Sequence, residues 1–312
     1  MYKFEYRVYR RRFAQPLITH HGLWATREGI IIRLTAVDGR TGWGEIAPLP
    51  AFGSERLETA QAYCDRLFPE VTPAAIAAIP DSLPACQFAF ESALSNLTAT
   101  EPAERELPQS GLLPPGQAAF AAWRSLWETG KRTFKWKIAV GDWRDELALL
   151  EPLRAAIPAN STLRLDANGG LTWDIACAWL EACDRLDIEM VEQPLPVDQF
   201  DDLCRLSDRF QTPIALDESV GQLHQLESCH QRGWRGIFVI KPAIAGFPSR
   251  VRAFCRDRQV DVVFSSVLGT SIARRVGRGM AAELAPTRAA GFGVEQWFRE
   301  SDREFLDALW QN

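Results

Sequence analysis

Six charged residues carry the chemistry legible in this chain: Lys135, Lys137, Asp166, Glu192, Asp217 and Lys241. From Asp166 the steps to Glu192, Asp217 and Lys241 are 26, 25 and 24 residues. Each of these four closes a short apolar segment: "STLRLDAN", "DIEMVEQP", "TPIALDES" and "RGIFVIKP". A single Asp in such a place reads as a turn former or helix cap. A single Lys reads as an edge residue with its head in water. Three acids on successive segments, with lysines on both sides, do not read as independent caps. Three carboxylates with no Cys or His nearby suit a hard cation, Mg²⁺ or Mn²⁺, and do not suit zinc. Three negative charges exceed what one divalent ion neutralises, and open coordination positions could take a substrate carboxylate.

The stretch "FKWKIAV" (134–140) sharpens this reading. Its aromatic and β-branched content is that of a buried strand. Side chains alternate along a strand, so Lys135 and Lys137 point to one face. A free lysine, with a pKa of about 10.4, is a poor base at neutral pH. Burial, a divalent cation and a second ammonium all lower that value, while the acids oppose the shift. One of the two lysines is therefore a candidate general base.

These residues need elements that bring them together. From about residue 111, short apolar strands alternate with amphipathic helices: 111–114, 133–140, 161–168, 187–194, 212–219, 235–242, 261–267 and 288–294. Alternating β and α implies parallel strands, and eight units is the count of a (β/α)8 barrel. Equivalent strand ends then converge on one mouth. An open doubly wound sheet is the runner-up. The region before it reads as α+β, with strands at 5–14 and 29–37, a return strand within 38–50, and helices near 54–68 and 84–97. The expected architecture is an α/β fold: a modified (β/α)8 (TIM-type) barrel at 106–294. An α+β capping domain is expected at 1–105, with the tail 295–312 packing back on it.

The 312 residues, 46% of them hydrophobic, suffice for two cores. The net charge of −5 and the lack of a dense basic run speak against a nucleic-acid partner. No apolar run approaches the roughly 20 residues of a membrane span. The N-terminus lacks a secretory h-region, and seven scattered cysteines without CxxC read as reduced thiols, so a cytoplasmic protein is expected. "GRGMAA" (277–282) fits GxGxxA but falls in a late helix, which excludes a dinucleotide reading. "ARRVGR" (273–278) reads as a solvated helix face.

The series "KWK", "LRLDAN", "VEQP", "LDES" and "VIKP" resembles the enolase superfamily, and more closely its muconate-lactonizing-enzyme subgroup. The segment 27–55, with "GWGEIAPLP", resembles the capping domain of the o-succinylbenzoate synthase family; "SGLLP" and "FSSVLGTSIA" agree with it. Dipeptide-epimerising relatives carry a DxD near the eighth strand, where this chain has "AAGFGVEQW". The resemblance implies Mg²⁺, with Mn²⁺ as a substitute, bound by Asp166, Glu192 and Asp217. The implied substrate is a small carboxylate, 2-succinyl-6-hydroxy-2,4-cyclohexadiene-1-carboxylate, dehydrated through an enediolate. Lys137 is the implied base, Lys241 the stabiliser on the opposite wall, and Lys135 the residue that tunes Lys137 and helps hold the carboxylate. Asn168, Arg164 and Glu218 are expected to orient ligands from behind. Ser265, Ser266 and Gly291 are expected to meet the succinyl carboxylate through hydroxyls and backbone N–H groups. The cap loops 19–24 and 49–54, the former with His20 and His21, would close over the ring.

Two lysines on opposite walls equally allow racemisation of N-acylamino acids, dipeptide epimerisation or muconate-type cycloisomerisation. A barrel retained only for binding is a reading of another class. Against it stands the cost of burying five charges with no catalytic return.

Overall fold

The structure is a computed structural model that describes residues 1–19, 22–98 and 106–311. His20, His21 and the expected boundary near 105 lie outside the described residues.

The N-terminal region builds an antiparallel sheet from β1 (Tyr2–Thr19), β2 (Gly22–Thr35), β3 (Thr41–Ile46) and β4 (Glu70–Val71), in the order β3-β2-β1-β4. Period-two alternation in "GIIIRLT" sends Ile30, Ile32 and Leu34 into one core with the helix Pro84–Thr98. That helix lies almost directly on β3. A Cβ at Gly42 would stand 1.9 Å from the Ala93 carbonyl oxygen, and one at Gly44 2.0 Å from that of Ala89. The two glycines of "GWGE" are thus required by close approach of backbones.

The second region is a parallel sheet whose strands neighbour one another in chain order: β5 (Ser110–Leu113), β6 (Thr133–Lys137), β7 (Thr162–Asp166), β8 (Met190–Glu192), β9 (Ile214–Leu216), β10 (Ile237–Ile240) and β11 (Val262–Phe264). The sheet curls closed, which removes the open-sheet alternative. The eighth strand expected at 288–294 is reduced to parallel bridges at two residues, Gln109↔Ala290 and Ser265↔Gly291. The Ser110 amide donates to the Ala290 carbonyl at 3.0 Å and the Gly291 amide to that of Phe264 at 2.8 Å, so this short segment touches both edges. "AAGFG" contains two glycines and little β-branched content, and so sustains bridges but not a longer ladder.

Alternation sorts the barrel side chains. Phe134, Trp136, Leu163, Leu165, Val191 and Leu216 join the core under the outer helices. Met190, Ala215, Ile237, Val239 and Val263 form a separate buried cluster. Their alternation with the outward set places them in the lumen.

The tail helix Asp302–Gln311 lies on the N-terminal sheet. Phe305 meets Tyr9 at 5.5 Å and Trp310 meets Trp43 at 4.8 Å, both edge-on. Arg11 and Arg274 both bind Asp302. Arg274 is therefore buried, and "ARRVGR" is not a wholly solvated face. All seven cysteines are free thiols, as expected. No described helix is long and apolar enough to cross a membrane.

Candidate active site

The lysines and acids meet because the register sets them side by side. Lys137 pairs with Asp166 across β6 and β7, and Asp166 with Glu192 across β7 and β8. Asp217 follows β9, and Lys241 follows β10. The three carboxylates are almost fully buried, at 8%, 1% and 5% exposure for Asp166, Glu192 and Asp217.

The three lysines divide into two kinds. The Lys135 ammonium lies 2.8 Å from Asp166 Oδ2 and 2.6 Å from Glu192 Oε1. Lys241 pairs with Asp217, and its ammonium stands 4.1 Å from the centre of the Phe52 ring. Lys137 alone among the three has no ion-pair partner among the described residues. Burial disfavours the Lys135 ammonium, but the carboxylates of Asp166, Glu192 and Asp217 outweigh it and raise its pKa. Lys135 is thus held as a cation by the acids.

The acids fit a divalent cation. Burial pushes the Glu192 carboxyl up to about 8; Lys135 pulls it down, while Asp166 and Asp217 push the same way as burial. Burial and then Asp217 push Glu218 up to about 7. Asn168 Oδ1 and Glu218 Oε2 are buried without a hydrogen-bond partner. Acceptors outnumber compensating charge here, which is the condition a hard cation with oxygen ligands relieves. Among the described residues no three acids, histidines or cysteines are already gathered close enough to share one cation, and the Lys135 ammonium lies between Asp166 and Glu192. The donor chemistry carries the fit.

Two cavities share Lys137. One, about 500 Å³, runs into the barrel past Lys135, Asp166, Glu192, Ser265 and Gly291. The other, about 530 Å³, lies between the barrel mouth and the cap and is lined by Trp24, Phe52, Asn168 and Glu218. A half-buried, unpaired amine therefore faces both spaces.

Comparisons with known proteins place the chain in a family. A family model described as "Enolase C-terminal domain-like" matches residues 118–307, and one described as "MenC, N-terminal domain" matches 3–97. An o-succinylbenzoate synthase of Thermosynechococcus vestitus is 41% identical over 302 residues, covering 95% of this chain and 93% of that protein. The crystal structure of o-succinylbenzoate synthase from Thermosynechococcus elongatus BP-1, complexed with Mg in the active site, has a TM-score of 0.92 at 39% identity, covering 99% of each chain. The chain belongs to the o-succinylbenzoate synthase family of the enolase superfamily. The L-Ala-D/L-Glu epimerase of Bacillus subtilis, at 22% identity, shares the fold with a TM-score of 0.80 over 96% of this chain and 91% of that one. The fold therefore does not separate o-succinylbenzoate synthases from epimerases.

The remaining expected residues have different surroundings. The Asn168 amide N–H donates to Asp166 Oδ1 at 3.1 Å, and its side chain donates to Glu218 at 2.9 Å. Both are therefore neighbours of the acids. Ser265, Ser266 and Gly291 do line the barrel cavity. Their backbone amides are already used: Ser265 donates to Ile240, Ser266 to Gly291 and Gly291 to Phe264, at 2.9, 2.9 and 2.8 Å. Barrel closure consumes those N–H groups, which leaves the two hydroxyls as donors. Arg164 sits one layer below Asp166 and holds other partners. Its guanidinium donates to Glu189 at 2.6 and 2.9 Å and to the Ala289 carbonyl at 2.7 Å. It pins the closing segment from inside the barrel. Arg164→Met is expected to destabilise the fold by about 2 kcal/mol, less than the roughly 3–5 kcal/mol of a fully orphaned buried charge, because Glu189 keeps Arg288. An unshifted denaturant midpoint would contradict this.

Gln193 escaped the sequence reading. It is fully buried at the end of β8 with φ at 37°. Its Oε1 accepts from the Asp217 amide at 3.0 Å and the Ser219 amide at 3.3 Å, while its Nε2 donates to the Leu195 carbonyl at 3.0 Å. It fixes the backbone that carries two acids. The signal was there in "VEQP": a Gln beside a buried acid at a strand end.

Proposed function

We propose that this chain dehydrates 2-succinyl-6-hydroxy-2,4-cyclohexadiene-1-carboxylate to o-succinylbenzoate, in the cytoplasm, as a step of menaquinone or phylloquinone synthesis. The observation that carries the reading is Lys137, an amine with no ion-pair partner among the described residues, at the junction of two cavities and beside the buried Asp166 and Glu192. The catalytic unit is the barrel of 106–294, under a cap of 1–105 and 295–312.

Asp166, Glu192 and Asp217 would hold Mg²⁺, with Mn²⁺ as a substitute; the bound ion supplies positive charge that stabilises the substrate carboxylate as it gains electron density. Lys137 removes the proton α to that carboxylate, and the C–H electron pair moves into an enediolate. Lys241, on the far side, stabilises this anion electrostatically. Its contact with the Phe52 face orients the ammonium. The electron pair then returns to form the ring double bond as the C–O bond breaks. The ammonium just formed on Lys137 gives its proton to the departing hydroxide, so one group on one face completes a syn loss of water. Lys135 keeps Asp166 and Glu192 in place. Ser265 and Ser266 line the cavity expected to take the succinyl arm.

The test is direct. Pure protein with Mg²⁺ and the cyclohexadiene substrate should show a steady fall in the diene's ultraviolet absorbance. No change, together with epimerisation of an N-succinylamino acid, would move the assignment to a racemase of the same fold.

A further inference from the structure

Glu45 is a fully buried carboxylate on β3, remote in sequence from the lysines and acids of the site. It accepts from the Thr270 amide at 3.0 and 2.9 Å, the Thr270 hydroxyl at 2.6 Å, the Ala273 amide at 3.2 Å and the Tyr9 hydroxyl at 2.6 Å. Burying a charge so completely is costly unless its acceptor sites are filled, and here they are. The donors from Thr270 and Ala273 belong to the N-terminus of the barrel helix Ser271–Leu284, whose dipole favours an anion. That helix already has a local cap, the Thr270 side chain accepting from the Ile272 amide. A carboxylate brought from the cap region, in addition to that threonine cap, is therefore more than a helix cap.

The two sides of this contact both lead into the cavities. On the barrel side, Thr270 ends the loop that begins with Ser265 and Ser266. The Ser266 hydroxyl oxygen accepts from the Leu268 amide at 2.9 Å. Leu268 has φ at 60°, a left-handed conformation that surrounding contacts must hold, and it lines the barrel cavity. A Cβ at Gly269 would stand 3.0 Å from Glu45 Oε1, so the loop lies against the carboxylate. On the cap side, β3 runs straight into the loop 49–54, closed on itself by the Leu49 amide donating to Ser54 Oγ at 2.7 Å. That loop puts Phe52 over Lys241. Its far end is fixed the same way: Glu55 accepts from the Ala85 and Cys86 amides, at 3.1 and 2.8 Å, at the start of the helix Pro84–Thr98.

We propose that Glu45 is a positioning residue that sets the cap on the barrel and so holds Leu268 in the substrate cavity and Phe52 over Lys241. The inference rests on the dehydration reading only for its kinetic assay. The experiment compares Glu45→Gln with the parent by amide exchange and by steady-state kinetics. Exchange should speed up by about tenfold in both 47–54 and 266–273, as expected when a charge-assisted contact is lost. KM should rise about tenfold and kcat should fall about three- to tenfold, because the cavity wall and the Phe52 contact that orients Lys241 are both disturbed while the base is not. Tyr9→Phe removes one donor from the same carboxylate and should move both readouts the same way by less, and it serves if Glu45→Gln does not fold. Faster exchange confined to 270–273 with unchanged KM would reduce Glu45 to a helix cap and overturn the proposal. So would a uniform rise across the chain. If the parent shows no dehydration, the functional reading fails on its own, while the exchange pattern still decides the clamp.

Discussion

Lys137→Ala is expected to lower kcat by about 10⁴, the upper end for loss of one acid–base group. The upper end applies because the same amine is assigned both transfers, first as base and then as acid. The fold should be nearly unaffected. Lys137 has no ion-pair partner among the described residues and is half-buried, so its removal orphans no charge, and the stability change should stay within about 1 kcal/mol. Lys135 gives the contrasting case. Its ammonium bridges Asp166 and Glu192, and Lys135→Ala would leave two buried acids facing each other. The pair of variants thus separates chemistry from structure. Single-turnover rates measure the first, and denaturant midpoints the second. Near-normal turnover in Lys137→Ala would remove the base from the mechanism.

Asp217→Asn is expected to weaken Mg²⁺ binding by about 100-fold or more. Outer partners of metal ligands cost about 10–100-fold, and a direct ligand should cost at least the upper figure. Asp217 has the geometry for this test. Its amide is held by Gln193, so the backbone should stay in place when the charge goes. Titration calorimetry reads the affinity. Thermal unfolding gives a second readout independent of turnover: at 100 times the parent's Kd, Mg²⁺ should stabilise the parent by about 2.7 kcal/mol and the variant by little. Equal stabilisation of both would remove Asp217 from the ligand set. The Asp217–Lys241 pair adds a secondary effect, since the variant frees Lys241 to move on the Phe52 face.

The opposite case is instructive for Gly221. A Cβ there would lie 2.4 Å from the Phe52 carbonyl oxygen, so the loop after Asp217 and the cap loop press together through backbone alone. Such contacts leave almost no trace in a sequence, because a glycine is as readily a turn as a point of close approach.

The sequence by itself determined what repeats locally. Strand alternation put Lys135 and Lys137 on one face and the apolar residues of the same strand on the other, and Phe134 and Trp136 are indeed in the outer core. One βα unit per step put Asp166, Glu192, Asp217 and Lys241 at the C-terminal ends of successive strands; parallel register aligns Asp166 with Glu192, while Asp217 and Lys241 lie just past the ends of β9 and β10. Both rules depend only on backbone period, which side-chain detail does not alter. The tertiary structure alone decided which charges meet. Lys135, two residues from Lys137 and on the same face, falls between two acids, while Lys137 stands clear at the junction of the cavities. It also decided how the barrel closes, by bridges at Ala290 and Gly291 whose amides are consumed in doing so. And it joined Glu45 to Thr270 across the whole chain. Coulomb attraction and hydrogen bonding act through space over a few ångströms, and residues brought that close by separate elements share no period in the sequence.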